Sequence, residues 1–323
     1  MFSADVLKID EAAEVEKIAR RLREITATGL RKRGLVIAMS GGIDSSVCAA
    51  LAVRALGANK VFGLLLPERD SSSESRSRGR LLAETLGIQY AVEELAPTLE
   101  AIGCYRWRDE AIRAALPEYG PGWRMKIAIA GGLEGQVNHF KLLAQSPSGQ
   151  SKEVRLELKQ YLQIVAATNF KQRIRKTIEY FHADRLNYAV VGTPNRLEYD
   201  QGFFVKNGDG SADVKPIAHL YKVQVYALAR YMKLPPEICS ATPTTDTYSL
   251  PQGQDEFYFA LPYAQMDLAL WAHNHSIPAA DLARVLNIDP TRAERVYADI
   301  ENKRRMSKLL HQKAVLVEPV PEL

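Results

Sequence analysis

A single junction constrains this chain most: the apolar run Leu35-Val36-Ile37-Ala38-Met39 passes directly into Ser40-Gly41-Gly42-Ile43-Asp44-Ser45-Ser46. A short apolar run ending in glycines reads as a buried strand, and the pattern from 43 to 56 reads as a helix with Gly57 as its C-cap. Two glycines let the backbone turn tightly and come close to a ligand, while the helix N-terminus behind them presents N–H groups to an anion. Ser40, Ser45 and Ser46 add hydroxyls. A plain strand-to-helix turn needs only one serine as a cap; small polar residues and an acid packed around two glycines point to a phosphate loop. No GK[ST] follows, so the loop is not a Walker A motif, and it is not the GxGxxG dinucleotide fingerprint.

The same rhythm continues along the chain. Residues 11–28 carry Val15, Ile18, Ala19, Leu22 and Ile25 at helical spacing. Residues 61–66 and 89–95 read as strands around a helix at 74–87 closed by Gly87, and 188–191 is a further short strand. Strands alternating with helices predict an α/β fold, a doubly wound parallel sheet with ligands at the carboxyl ends of its strands. Residues 103–158 interrupt it with Pro117, Pro121, Pro147 and strand-like stretches at 124–130, 137–144 and 153–158. They read as a small β-rich insertion within one catalytic domain spanning 1–323. Helices are expected at 159–182, 222–232, 279–287 and 290–309, and an extended tail at 315–323.

Composition narrows the function classes. Lys plus Arg number 42 against 38 Asp plus Glu, a net charge of +4, too small and too scattered for nucleic-acid binding. Cys48, Cys104 and Cys239 form no CxxC pair, which argues against disulfides and structural zinc; Cys48 and Cys239 read as packing residues. The six histidines show no HxxxH or HExxH spacing. No apolar run approaches the roughly 20 residues of a membrane span, and the first residues are acidic, unlike a secretory signal. A cytoplasmic protein is expected, with no membrane partner.

The loop SGGIDSS resembles the SGGxDS pyrophosphatase loop of enzymes that adenylate a substrate with ATP, among them GMP synthetases, asparagine synthetases, tRNA-thiolating enzymes and NAD synthetases. Four further segments, ATNFKQRIR (167–175), VVGTPNRLE (190–198), GFFVKNGDGSADVKPIAHLYKVQV (202–225) and PTTD (243–246), resemble NAD synthetase motifs in the same order. Glu301-Asn302-Lys303-Arg304 resembles that family's basic C-terminal segment. Over residues 30–100 and 165–310, about two thirds of the chain, the sequence resembles the ammonia-dependent NAD synthetases. The absence of a CxxC motif and of a basic stripe sets it apart from the tRNA-modifying relatives.

The resemblance implies an adenine nucleotide α-hydrolase-like fold and the amidation of deamido-NAD: ATP adenylates the nicotinate carboxylate, ammonia displaces AMP, and pyrophosphate is released. It implies that Ser40, Gly41, Gly42, Asp44, Ser45, Ser46, Thr193, Lys222 and Thr244 hold ATP. Asp44 and Glu198 would bind Mg²⁺, which prefers oxygen ligands shared with phosphates. Asp44, Lys222 and Asp209 would be catalytic, and Asn169, Arg173, Lys206, Asp209, Asp213 and Lys303 would bind the acyl acceptor. Asn169 and Arg173, at i and i+4, are expected to share one helix face. A homodimer is implied, with the acceptor site built partly from the second subunit. Only about 30 residues precede the first strand, so the nitrogen source is expected to be free ammonia or ammonia delivered by a separate protein. Val165 stands where many relatives carry an aromatic residue against the nicotinate ring, Asn302 where a histidine is usual, and the segment 244–259 also departs from the family pattern. These departures lie on the acceptor side, and leave open a related ligase that amidates a different carboxylate.

Overall fold

Four parallel strands in the order β3-β2-β1-β7 form the centre of the computed structural model, which describes residues 2–130, 139–243, 248–250, 253, 258–259 and 261–321. These strands are β1 (Leu35–Ala38), β2 (Val61–Leu65), β3 (Gln89–Val92) and β7 (Ala189–Val190). The helices between them are α1 (Glu11–Glu24) before β1, α2 (Ile43–Leu56), α3 (Ser73–Leu86), α4 (Ala96–Ile102), α5 (Cys104–Ala115) and the long α6 (Leu158–Leu186). Side chains alternate across the sheet as the pleat requires. Leu35 and Ile37 face a core shared with Val15, Leu22, Val47 and Leu51, whereas Val36 and Val190 face one shared with Leu99, Tyr105 and Ala183. Helices cover both faces, as expected of a doubly wound sheet.

From β1 the chain builds outward through β2 to β3, then returns to add β7 on the opposite side of β1. That reversal between β1 and β7 is the place where an open α/β sheet leaves a crevice at its carboxyl ends. After β7 come α7 (Arg196–Gln201), α8 (Lys222–Tyr231) and α9 (Pro236–Cys239). A C-terminal group follows: α10 (Tyr263–Asn274), α11 (Ala279–Leu286) and α12 (Pro290–His311), packed around Leu268, Leu282, Val296 and Ile300. Sequence periodicity located the last two; α10 was not anticipated. The tail beyond His311 has no regular structure through Pro321. No helix among the described residues is long and apolar enough to cross a membrane.

The insertion is partly corrected. It opens with a helix, α5, whose Cys104, Tyr105, Arg108, Ala111 and Ile112 are buried at helical spacing; the prolines farther on had masked that period. Its strands are β4 (Arg124–Ala130), β5 (His139–Gln145) and β6 (Ser151–Arg155), a separate antiparallel sheet in the order β4-β5-β6. The third strand ends three residues before the expected limit. Glu157 and Gln160 there form a reciprocal capping box that starts α6. Residues 137 and 138 of the expected second strand lie outside the described residues.

Candidate active site

The loop after β1 is shaped by its own hydroxyls. Ser40 Oγ accepts from the Gly42 N–H (3.3 Å) and lies 3.2 Å from Ser45 Oγ, while the Ser45 and Ser46 hydroxyls donate to the Gly42 carbonyl at 3.1 and 2.8 Å. Gly41 has φ +75°, and a Cβ there would stand 2.5 Å from the Ser75 carbonyl oxygen of α3. Glycine is therefore required for α3 to pack against the loop. Arg78 of α3 donates from Nε to the Gly41 carbonyl at 3.0 Å. Gly42 is the N-cap of α2 and has no side chain to cap it, so the first turn of that helix faces the crevice as an anion-binding end.

Beside this end sit two acids and one lysine. Asn195, wholly buried between β7 and α7, joins the acids: its Nδ2 donates to Asp44 Oδ1 (3.1 Å) and its backbone N–H to Glu198 Oε2 (3.1 Å). Its own Oδ1 accepts from the N–H groups of Leu197 and Glu198, so one asparagine both caps α7 and fixes the carboxylates. Lys222, 1% exposed, is ion-paired with Asp44. Burial and then the charge of Asp44 push the Glu198 carboxyl up to about 8, against the pull of Lys222. Burial alone would lower the Lys222 ammonium, but the charges of Asp44 and Glu198 outweigh it and hold it above its ordinary value. Two carboxylates answered by one lysine are short of positive charge, and a hard divalent ion fits such a donor pair. No cluster of three or more metal-binding side chains occurs among the described residues, so oxygens from phosphate and water would complete its shell.

These groups open into a cavity of about 470 Å³ that gathers Ser40, Gly42, Asp44, Ser45, Asn169, Thr193, Glu198, Asp209 and Lys222. Asp209 is exposed to it, yet protein crowds the carboxyl and holds it above the usual range despite the Val205 N–H that it accepts at 2.8 Å. Ser46 is buried behind the loop and does not reach the cavity, because its hydroxyl turns back onto Gly42. Gly41 shapes the turn without lining the cavity. Thr244 lies outside the described residues.

The acceptor-side expectation is only partly matched within one chain. The α6 face that lines the cavity runs from Tyr161 and Val165 through Thr168, Asn169 and Gln172 to Arg175, Lys176 and Glu179. Arg173 sits roughly 90° around the helix from the centre of that face; it is exposed, and its Nε donates to the Lys206 carbonyl at 3.2 Å. Asn169 and Arg173 lie about 40° apart on α6 and so share a face as expected, but Arg173 falls beyond the part of it that lines the cavity, where the arginine is Arg175. Lys206 reaches the carbonyls of Leu309 and Gln312 at the end of α12. Asp213 accepts from the Val190 N–H (2.7 Å) and from Tyr180, holding β7 in place. Lys303 pairs with Asp299 and lies over the Tyr258 ring, one residue removed from the cavity. Sequence reading overlooked Asn195, Arg175 and the buried ion pair of Lys176 with Glu179 (2.7 Å). The Asn-x-x-Glu capping signature and the 3.6-residue period continued from Asn169 would have found them. Nothing local in the sequence pointed to Arg78.

Residues 14–137 and 141–308 match the NAD synthase family. An NH3-dependent NAD(+) synthetase of Rhizobium meliloti (strain 1021) is 58% identical over 100% of this chain and 97% of the relative. One from Mesorhizobium japonicum is 52% identical, covering 98% of this chain and all of the relative. Among solved structures, an NMN synthetase from Francisella tularensis superposes with a TM-score of 0.65 at 22% identity, over 96% of this chain and 99% of that one. An NH3-dependent NAD synthetase from Campylobacter jejuni gives 0.62 at 22% identity, over 96% and 100%. At that identity the two structures speak for the fold.

Proposed function

The chain belongs to the NAD synthase family, and on that footing we propose how its cavity carries out the ATP-dependent amidation of deamido-NAD to NAD with ammonia. The observation that carries the reading is the Asp44–Asn195–Glu198–Lys222 cluster set against the open N-terminus of α2, at the reversal between β1 and β7. A carboxylate resists attack because of its charge and resonance, and adenylation supplies a leaving group. The protein's task is then placement and charge stabilisation.

In this reading Ser40, Gly42, Ser45 and the first amides of α2 hold the triphosphate, with Lys222 as a movable point charge on it. Thr193 and Thr244 complete the ATP site, and Gly41 and Ser46 serve by shaping the loop. Asp44 and Glu198 would hold Mg²⁺, which, when bound, neutralises the phosphates and the departing pyrophosphate. Asn195 keeps the two carboxylates apart and aimed. Asn169 and Arg175 on α6 face the acceptor, and Arg175 offers the planar fork suited to its phosphate or carboxylate. Asp209, whose raised carboxyl opens into the same cavity, is placed to take a proton from the attacking ammonia.

The protein is further proposed to be a cytoplasmic homodimer. Leu158 (67% exposed), Leu162 (54%) and Ala166 form an outward stripe on α6, and Arg173 falls on the same side of that helix. A second copy packed there would draw Arg173, and with it Lys206 and Asp213, toward the partner's acceptor. Incubation with ATP, Mg²⁺, ammonium and deamido-NAD should yield NAD, AMP and pyrophosphate in equal amounts by mass spectrometry. ADP and orthophosphate as products, or no NAD, would overturn the reading.

A further inference from the structure

Every α-helix begins with N–H groups that its own turns cannot satisfy. In α8 the first two belong to Lys222 and Val223, and their acceptor comes from another helix, α10. Asp267 of α10, wholly buried, accepts the Val223 N–H at Oδ2 (2.8 Å), and the Lys222 N–H also donates to this carboxyl. Burial pushes the carboxyl up to about 7, against the pull of these two N–H groups and of the Lys222 charge. Tyr263 stands four residues earlier on α10 and so shares the face of Asp267. The Lys222 ammonium lies 5.0 Å from the centre of the Tyr263 ring. One helix of the C-terminal group therefore meets Lys222 at both ends, its backbone through Asp267 and its charge through Tyr263. Neither of the two residues lines the cavity.

A lysine that must meet phosphate across a crevice is placed by where its Cα stands and by which way its head points. A carboxylate at a helix start satisfies the first amides and complements the dipole there, so it fixes the turn that holds the Cα. An aromatic face attracts the ammonium without accepting a hydrogen bond, which leaves the three N–H donors to Asp44 and to phosphate oxygens. Resting on the function proposed above, we propose that Asp267 and Tyr263 are positioning residues for Lys222, through which α10 sets the charge that meets the ATP phosphates. The C-terminal helical group then takes part in ATP handling, although no residue of α10, α11 or α12 lines the cavity. Asp267 acts on the Lys222 backbone and Tyr263 on its head, and both act through that one side chain.

Calorimetric binding of ATP to the full chain, with Mg²⁺ present and deamido-NAD left out, tests the assignment without turnover, and thermal melts run beside it. Asp267→Leu should raise Kd for ATP about tenfold, the scale of one charge-assisted hydrogen bond. Asp267→Asn, whose amide oxygen still accepts an N–H, should recover most of that loss. Tyr263→Leu should raise Kd about threefold, and Tyr263→Phe, which keeps a ring face, by a smaller factor. A Lys222→Met background separates positioning from plain destabilisation. There Asp267→Leu should still lower the melting temperature, yet move Kd for ATP by less than about twofold. The same loss of affinity with and without Lys222, or an unmoved Kd in both Asp267→Leu and Tyr263→Leu, overturns the proposal. If Asp267→Leu fails to fold, Tyr263→Leu with and without Lys222→Met decides. Wild-type protein that binds ATP but makes no NAD from deamido-NAD overturns the functional reading, and these affinities still decide the placement of Lys222. Wild-type protein that binds no ATP overturns both.

Discussion

Glu198 is an acid whose charge the folded chain disfavours. An ordinary glutamate titrates near 4.5, and burial beside Asp44 lifts this one to about 8. Between those two pH values the folded protein holds a proton that the unfolded chain has released, so this residue's contribution to stability falls as pH rises through that window. Glu198→Gln keeps an oxygen for the Asn195 N–H and removes the buried charge. With chelator present, the variant should gain over wild type in urea melts at pH 8.5 and differ little at pH 5, while turnover falls by about a hundredfold or more. Melts in which the difference is the same at both pH values would contradict the sign. Asp44 and Glu198 were both legible in the sequence because each sits in a short motif. Asn195 was passed over, since its work is done by one side-chain amide and one backbone N–H whose partners are 151 and three residues away.

Helices and strands were read well where one period ran unbroken, and poorly where two signals overlapped. Leu35–Ala38 and Ile43–Leu56 were found almost to the residue. The helix at Cys104–Ala115 was lost beneath the proline-rich stretch that follows it, and Arg173 does share a face of α6 with Asn169, but the cavity wall continues on the other side of Asn169, through Gln172 and Arg175. Packing between elements was legible only at glycines. Gly41 and Gly87 both have positive φ, yet a Cβ at Gly41 meets the Ser75 carbonyl at 2.5 Å whereas one at Gly87 has nothing within 4 Å. Gly87→Ala should therefore lose only about 1 kcal/mol to backbone strain, with unchanged kinetics. Gly41→Ala must also push α3 off the loop, and should melt lower still and raise KM for ATP at least about tenfold. Thermal melts beside ATP-dependent rates separate the two.

Across the whole molecule, the division of labour follows the two sheets. The parallel sheet supplies the glycine–serine loop and the Asp44–Glu198 pair, and the crevice beside them was predictable because crossover topology dictates where one opens. The antiparallel sheet contributes through residues distant in sequence, Phe140 against Tyr161 and Met125 against Ser249, and no local pattern reports such pairs. Assembly is tested at the same scale. Light scattering at micromolar concentration should give twice the chain mass, and Leu158→Glu with Leu162→Glu should return the monomer. In that monomer Arg173→Lys should no longer affect KM for deamido-NAD, because the arginine would then face water.

The bare start of α2 has a thermodynamic consequence. A helix that opens on glycine forgoes roughly a few tenths of a kcal/mol that a serine or aspartate cap would add, and leaves its first N–H groups open to a bound phosphate oxygen. Ligand and fold are then linked variables: whatever fills the loop also completes a turn of backbone. At a hundredfold excess over Kd such a ligand adds about 2.7 kcal/mol to the folded state. The melting temperature thereby becomes a gauge of occupancy that needs no turnover, and it should rise with ATP even in a variant that can no longer transfer a single adenylyl group.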